Sequence, residues 1–235
     1  GVYWYPVSTF GCYRLVTNGA DMATGNLSMH ELTSGYEAGE FDTVIVAFTD
    51  MQGRLIGKRV SARLFIDDIA AHGADCCNYL LAVDVENNTV GGYAISSWER
   101  GYGDMVMKVD ETSLRRLPWL PGTAMVTADL TWLDGTPVAQ SPRAILRAQL
   151  DRLAQRGMSA FVGTELEFIV FDDTYREAWG KRYEGLTPAS DYNIDYALLA
   201  STRMEPLLLA IRKGMDGAGM YGEGVKGECN LGQQE

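Results

Sequence analysis

One stretch limits what this chain can become more than any other: Phe161-Val162-Gly163-Thr164-Glu165-Leu166-Glu167-Phe168-Ile169-Val170-Phe171. Its length and apolar content predict a buried strand that follows a well-marked helix. Side chains at i and i+2 of a strand share a face, so Glu165 and Glu167 point one way. Leu166 and Phe168 point the other way, into a core. In an ideal strand the two carboxylates lie about 6.7 Å apart and repel by about 2.5 kcal/mol at an effective dielectric of about 20. A hard divalent cation offsets that repulsion, because it favours carboxylate oxygens. Plain exposure to water offsets it too, and for this pair alone the two readings stand level.

The last fifteen residues shift the balance. Tyr221-Gly222-Glu223-Gly224-Val225-Lys226-Gly227-Glu228-Cys229-Asn230-Leu231-Gly232-Gln233-Gln234-Glu235 adds three glutamates in a glycine-rich setting. Glycines allow backbone to crowd a ligand or a neighbouring strand. Five glutamates on solvated strands is a fair account of any one of them and a poor account of all five. The order Glu-x-Glu, then Glu-x4-Glu-x6-Glu, resembles the glutamine synthetase family. The short Glu228-x6-Glu235 spacing is similar to the branch that joins glutamate to amines larger than ammonia, the γ-glutamylamine and γ-glutamylpolyamine synthetases. The resemblance covers residues 41 to 235.

That resemblance implies roles residue by residue. Glu167, Glu228 and Glu235 match the three ligands of the metal beside glutamate and amine. Glu165 matches one ligand of the second metal, which holds the ATP phosphates, and Glu223 matches the residue that contacts ATP. The metals implied are Mg2+ or Mn2+. Phosphoryl transfer to a carboxylate crowds anionic oxygens, and cations must neutralise them. Asp50 matches the N-terminal aspartate that reaches a neighbouring subunit's site and helps bind and deprotonate the amine. As an Asp-x2-Gly turn residue it needs no function at all.

The implied reaction is ATP-dependent carbon–nitrogen ligation of glutamate to ammonium or an organic amine through γ-glutamyl phosphate. The implied assembly is a homo-oligomer of stacked rings. The family's catalytic half continues past its last matching glutamate here, to a histidine, a further glutamate and arginines. The chain therefore reads as a fragment or truncated product that is inactive by itself, with an unpaired strand edge and apolar surface. The competing reading is a non-catalytic structural or metal-binding relative that kept the fold and lost the chemistry.

Composition narrows the classes. Acidic residues outnumber basic ones, 31 to 20, for a net charge of −11, which argues against a nucleic-acid partner. Cys12, Cys76, Cys77 and Cys229 form no Cys-x2-Cys pair, so zinc has no support, and scattered thiols point to a reducing, cytoplasmic compartment. No apolar run reaches the ~18 residues of a membrane helix. With only His30 and His72, no Ser-His-Asp or Cys-His set can be assembled. Two Gly-x-Gly-x2-Gly matches, at Gly217/Gly219/Gly222 and Gly222/Gly224/Gly227, follow a helix rather than open one, so a dinucleotide fold is set aside.

The fold class expected is α+β. An N-terminal β-grasp domain spans 41–133, and the first half of a glutamine-synthetase-type catalytic α/β domain spans 134–235. Residues 1–40 read poorly, with 1–28 an extension or loose tail. Strands are expected over 41–48, 54–60, 79–83, 104–109 and 123–133, with a short helix over 62–72 and loops over 84–102 and 172–195. Ser141-Pro142 starts a helix with Leu146, Leu150 and Leu153 on its inner face. A second helix runs from Pro206 to about Met215, with Leu208, Ile211 and Met215 inward.

Overall fold

The computed structural model describes Val2–Tyr3, residues 25–97, Glu99 and residues 101–235. The expectation for residues 1–28 lies outside these up to residue 24, Val2–Tyr3 apart. The described chain is α+β and forms two compact units, one of residues 25–160 with 217–220, the other of Val2–Tyr3, 161–216 and 221–235.

The first unit is built on a five-stranded sheet of β2 (Thr43–Thr49), β3 (Leu55–Ser61), β4 (Ala74–Cys77), β5 (Asp104–Arg116) and β6 (Thr123–Trp132), in the order β3-β2-β6-β5-β4. Among these strands β2 and β6 run parallel, with Val44 against Ala124 and Val46 against Val126, and the other neighbours are antiparallel. Alternation carries the core. Val44, Val46 and Phe48 on β2, with Ala47 between the last two, are buried, and on β6 buried Ala124, Val126, Ala128 and Leu130 alternate with partly wet residues. A helical stretch over residues 62–72 covers the inner face, as α2 (Ala62–Leu64), a π turn (Phe65–Ile69) and α3 (Ala70–His72). Ser61 caps it by accepting from the Leu64 amide at 3.2 Å, and Phe65 and Ile69 enter the core.

α1 (Met29–Glu37) joins the same core. Ser28 and Glu31 form a reciprocal capping box, and Leu27 and Leu32 are buried. The sheet curls enough for Lys58 on edge strand β3 to donate to the Asp75 carbonyl on the opposite edge, β4. A hollow of about 240 Å³ between them is lined by Gly57, Lys58, Cys76, Tyr79 and Asp104.

Two expectations change in this unit. The strand read over 79–83 is instead a 3-10 turn, Asn78–Leu81. Asn78 receives the Gly103 amide at 3.3 Å and gives its own amide to Ile95 at 3.0 Å, which turns the chain out of the ladder. α4 (Pro142–Ala154) forms as the Ser141-Pro142 start predicts, but it does not bury the leucine face. Leu146 and Leu150 are 59% and 43% exposed. The face that meets the sheet carries Arg143 and Arg147, which clasp Asp110 on β5 and Asp129 on β6. This clasp holds α4 with the first unit, whose contacts run to Ala160.

The second unit holds a small sheet of β1 (Val2–Tyr3), β7 (Phe168–Val170) and β8 (Gln233–Gln234), antiparallel in the order β1-β7-β8. The eleven-residue strand read from sequence is thus three residues long. Its neighbours supply two residues each, so among the described residues the ladder has no partner over 161–167. Phe168 is buried, whereas Leu166 is 57% exposed and does not enter the core. The helices are α5 (Tyr175–Gly180), α6 (Leu198–Arg203) and α7 (Glu205–Gly217), the last starting beside Pro206 as expected, with Leu208 buried. α5 interrupts the stretch read as loop, because Thr174 and Glu177 form a capping box. A small core joins Phe168, Ile194, Ala200, Met204 and Leu208. Among the described residues, no helix is long and apolar enough to cross a membrane.

Candidate functional site

A hairpin at the end of the second unit builds the site. Lys226 and Glu235 exchange both backbone hydrogen bonds, at 3.2 and 3.0 Å, and the Glu228 amide donates to Gln233 at 3.0 Å. Gly232 makes the turn. Its φ is +67°, and a Cβ there would lie 2.7 Å from the Val170 carbonyl oxygen, so a larger residue would be strained and would clash. Opposed residues in an antiparallel pair share a face, and so do residues two apart. Lys226, Glu228, Gln233 and Glu235 therefore lie on one face of the hairpin.

β8 also pairs with β7, Phe168 opposite Gln234 and Ile169 opposite Gln233. Carrying that register one step further sets Glu167 opposite Glu235, and Gln233 donates to the Glu167 carboxylate at 2.6 Å. Glu165 lies two residues further on. One oxygen from each of Glu165, Glu167 and Glu235 lies within 4.8 Å of the others. Glu165 is exposed, and the other two are half-buried.

Glu228 takes a different place. Its carboxylate pairs with the Lys226 ammonium and accepts from the Cys229 amide at 3.0 Å, and these hold it below the usual carboxylate range. Lys226 also lies 3.6 Å from Glu235 and 3.5 Å from Asp195, with the Tyr196 ring centroid 4.4 Å away. Burial pushes the Glu235 carboxyl up, and the Glu228 and Glu165 charges add to this, outweighing Lys226. A carboxylate that resists ionising beside two others marks a cluster short of positive charge. Three convergent carboxylate oxygens are the donor set a hard divalent ion takes, so the residues present fit Mg2+ or Mn2+.

Glu223 is exposed and is not one of the three convergent carboxylates. Asp50 belongs to the first unit, in the β2–β3 turn, where Gly53 has φ +81°. Its side chain is fully buried and accepts from the Gln52 and Arg54 amides at 2.9 and 2.8 Å and from Arg54 Nε at 2.8 Å. The Arg54 guanidinium reaches on to the Val85 and Asp84 carbonyls at 2.6 and 3.1 Å. Sequence reasoning missed Arg54, Lys226, Gln233 and Asp195. The one legible signal was Lys226 itself, a lone cation two residues from Glu228 in an otherwise acidic stretch.

The catalytic-domain model of glutamine synthetase matches residues 139–235. The γ-glutamylethanolamide synthetase GlnA4 of Streptomyces coelicolor is 59% identical over 212 residues, 90% of this chain and 46% of that protein. The glutamate–isopropylamine ligase of a Pseudomonas species is 29% identical over 199 residues, 85% of this chain and 43% of that protein. The chain thus spans about half the length of the curated relatives it matches. Among solved structures, ligand-free GmaS aligns with a TM-score of 0.63 at 22% identity, over 87% of this chain and 43% of that one. Plasmodium falciparum glutamine synthetase aligns with a TM-score of 0.60 at 15% identity, over 88% and 44%; at these identities the two structures speak to fold. Sequence match, fold and convergent glutamates agree, and the chain belongs to the glutamine synthetase family.

Proposed function

We propose that this chain is part of an ATP-dependent ligase that joins the γ-carboxylate of glutamate to an amine through γ-glutamyl phosphate. The observation that carries the reading is the 59% identity to a γ-glutamylethanolamide synthetase over 90% of the chain. The similarity to a glutamate–isopropylamine ligase supports an organic amine over ammonium as the preferred nucleophile. On this reading residues 41–133 are a β-grasp domain, which the mixed order β3-β2-β6-β5-β4 and its covering helix support. Residues 134–235 are the first half of the catalytic domain, which the match over 139–235 supports. The working protein is a cytoplasmic homo-oligomer of stacked rings.

Glu167, Glu228 and Glu235 would hold one Mg2+ or Mn2+, Glu165 would contribute to a second, and Glu223 would contact ATP. A bound divalent ion supplies charge neutralisation where phosphate and carboxylate oxygens meet. The chain's own residues do the positioning. The Gln233 amide fixes Glu167, and the β8 register presents Glu235 beside it. Asp50 would serve the amine.

The test is phosphate release by the intact protein given glutamate, ATP and a panel of ethanolamine, isopropylamine, a polyamine and ammonium. Turnover with an organic amine above that with ammonium is expected. Preference for ammonium over every amine would reverse the order of substrates, and no release with any of them would overturn the ligase reading.

A further inference from the structure

The hairpin carries a feature that a metal site does not require. Lys226 sits directly opposite Glu235 and fills one side of the carboxylate cluster with its ammonium, while Glu165, Glu167 and Glu235 converge on the other side. Glu235 belongs to both halves. We infer that Lys226 is a built-in competitor for the divalent cation, an ammonium that holds Glu228 until metal enters and then swings away. The inference rests on the metal reading proposed above.

The argument is one of shared oxygens. A cation held by Glu167, Glu228 and Glu235 must use carboxylates that Lys226 already engages, Glu228 in contact and Glu235 at 3.6 Å. An ammonium and a divalent ion placed on the same oxygens repel, and the weakly tethered one leaves. The lysine stem is flexible and its charge compact, so it can move without disturbing the hairpin backbone. A second berth lies beside it. The Tyr196 ring is 4.4 Å from the ammonium, Asp195 is 3.5 Å away, and both residues are exposed. An aromatic face and a wet carboxylate suit a displaced ammonium. Lys226 thereby keeps the metal-free cluster from self-repulsion and raises the metal concentration needed to load it.

Two measurements on the intact protein test this. Mn2+ uptake, followed by the loss of the free-ion electron paramagnetic resonance signal, should be about tenfold tighter in Lys226→Met and no tighter in Lys226→Arg. Reductive dimethylation read by mass spectrometry should modify Lys226 several-fold faster with saturating Mg2+ than without it, with exposed Lys213 as the unchanged reference. If Lys226→Met fails to fold, the dimethylation of the wild type decides. Mn2+ uptake equal to or weaker than wild type in a folded Lys226→Met, or Mg2+ uptake with the Lys226 rate unchanged, overturns the inference and leaves the metal reading standing. No uptake by any form overturns both.

Discussion

Replacing Arg54 by alanine should cost the first unit about 2–3 kcal/mol. The guanidinium ties the β2–β3 turn to the loop beyond residue 82, through Asp50 on one side and the Val85 and Asp84 carbonyls on the other. Asp50 is 0% exposed and Arg54 32%. Removing one partner of a fully buried ion pair costs about 3–5 kcal/mol, because a charge is left buried without compensation. Two features lower that figure here. Asp50 keeps the Gln52 and Arg54 amides, and Arg54 is partly screened by water. The assay is hydrogen exchange on the intact protein, with peptides from β2 and β3 reporting the unit. The Asp84 and Val90 amides, bonded to the Asn88 and Ala82 carbonyls at 2.9 and 3.0 Å, report the loop. Both should lose protection, the loop more than the strands. In an Asp50→Asn, Arg54→Met double variant the losses should be smaller than the sum of the singles by more than about 1 kcal/mol. A cost below about 0.5 kcal/mol for Arg54→Ala, or additive singles, would refute the interlock.

Other outcomes follow from the same contacts. Burial works to raise the Asp110 carboxyl, but the Thr112 hydroxyl and the Arg143 and Arg147 guanidinium groups outweigh it and hold it low. A depressed folded pKa gives stability present above the unfolded value of about 3.9 and lost as pH falls through the folded value. Protection of the α4 amides, corrected for the intrinsic pH dependence of exchange, should therefore be flat from neutral pH to about 4 and fall below it, and Asp110→Asn should remove that fall. Met107→Ala, at a fully buried core position, should cost about 2–5 kcal/mol in denaturant unfolding, against under about 0.5 for Leu146→Ala on the exposed face of α4; equal costs would mean that the leucine face is packed. Burial pushes the Cys76 thiol up to about 12, so alkylation near neutral pH, read by mass spectrometry, should reach exposed Cys229 well before Cys76.

What the sequence could reveal followed how local the cause was. The Ser141-Pro142 start and the Pro206 start act within a few residues, and each formed as its pattern says. The Thr174-x2-Glu177 box was equally local and simply went unread. The strand over 161–171 failed for a non-local reason. Pairing needs a neighbour, and the length of β8 is not written in β7. The α4 face failed likewise, because Asp110 and Asp129 sit on distant strands, and their ion pairs with Arg143 and Arg147 turned the helix away from the orientation its leucines suggest. At the site, the glutamates announced themselves by type and spacing. Lys226 and Gln233 acquire meaning only once the hairpin register places them on the same face.

The lysine that bridges the two edges of the first unit's sheet bears on how this protein avoids sticking to itself. Among the described residues β3 and β4 each have one side without a strand neighbour, and such a side is a template for an invading strand from another copy. Lys58 crosses the gap between them to the Asp75 carbonyl. A strand inserted there would need about one strand spacing, roughly 4.8 Å, on each side, and the lysine stem already occupies that lane. Its charge also makes the lane a poor place for apolar side chains. Lys58→Ala should leave the core intact and open this seam, so the loss would surface as concentration-dependent aggregation rather than as a lower unfolding free energy.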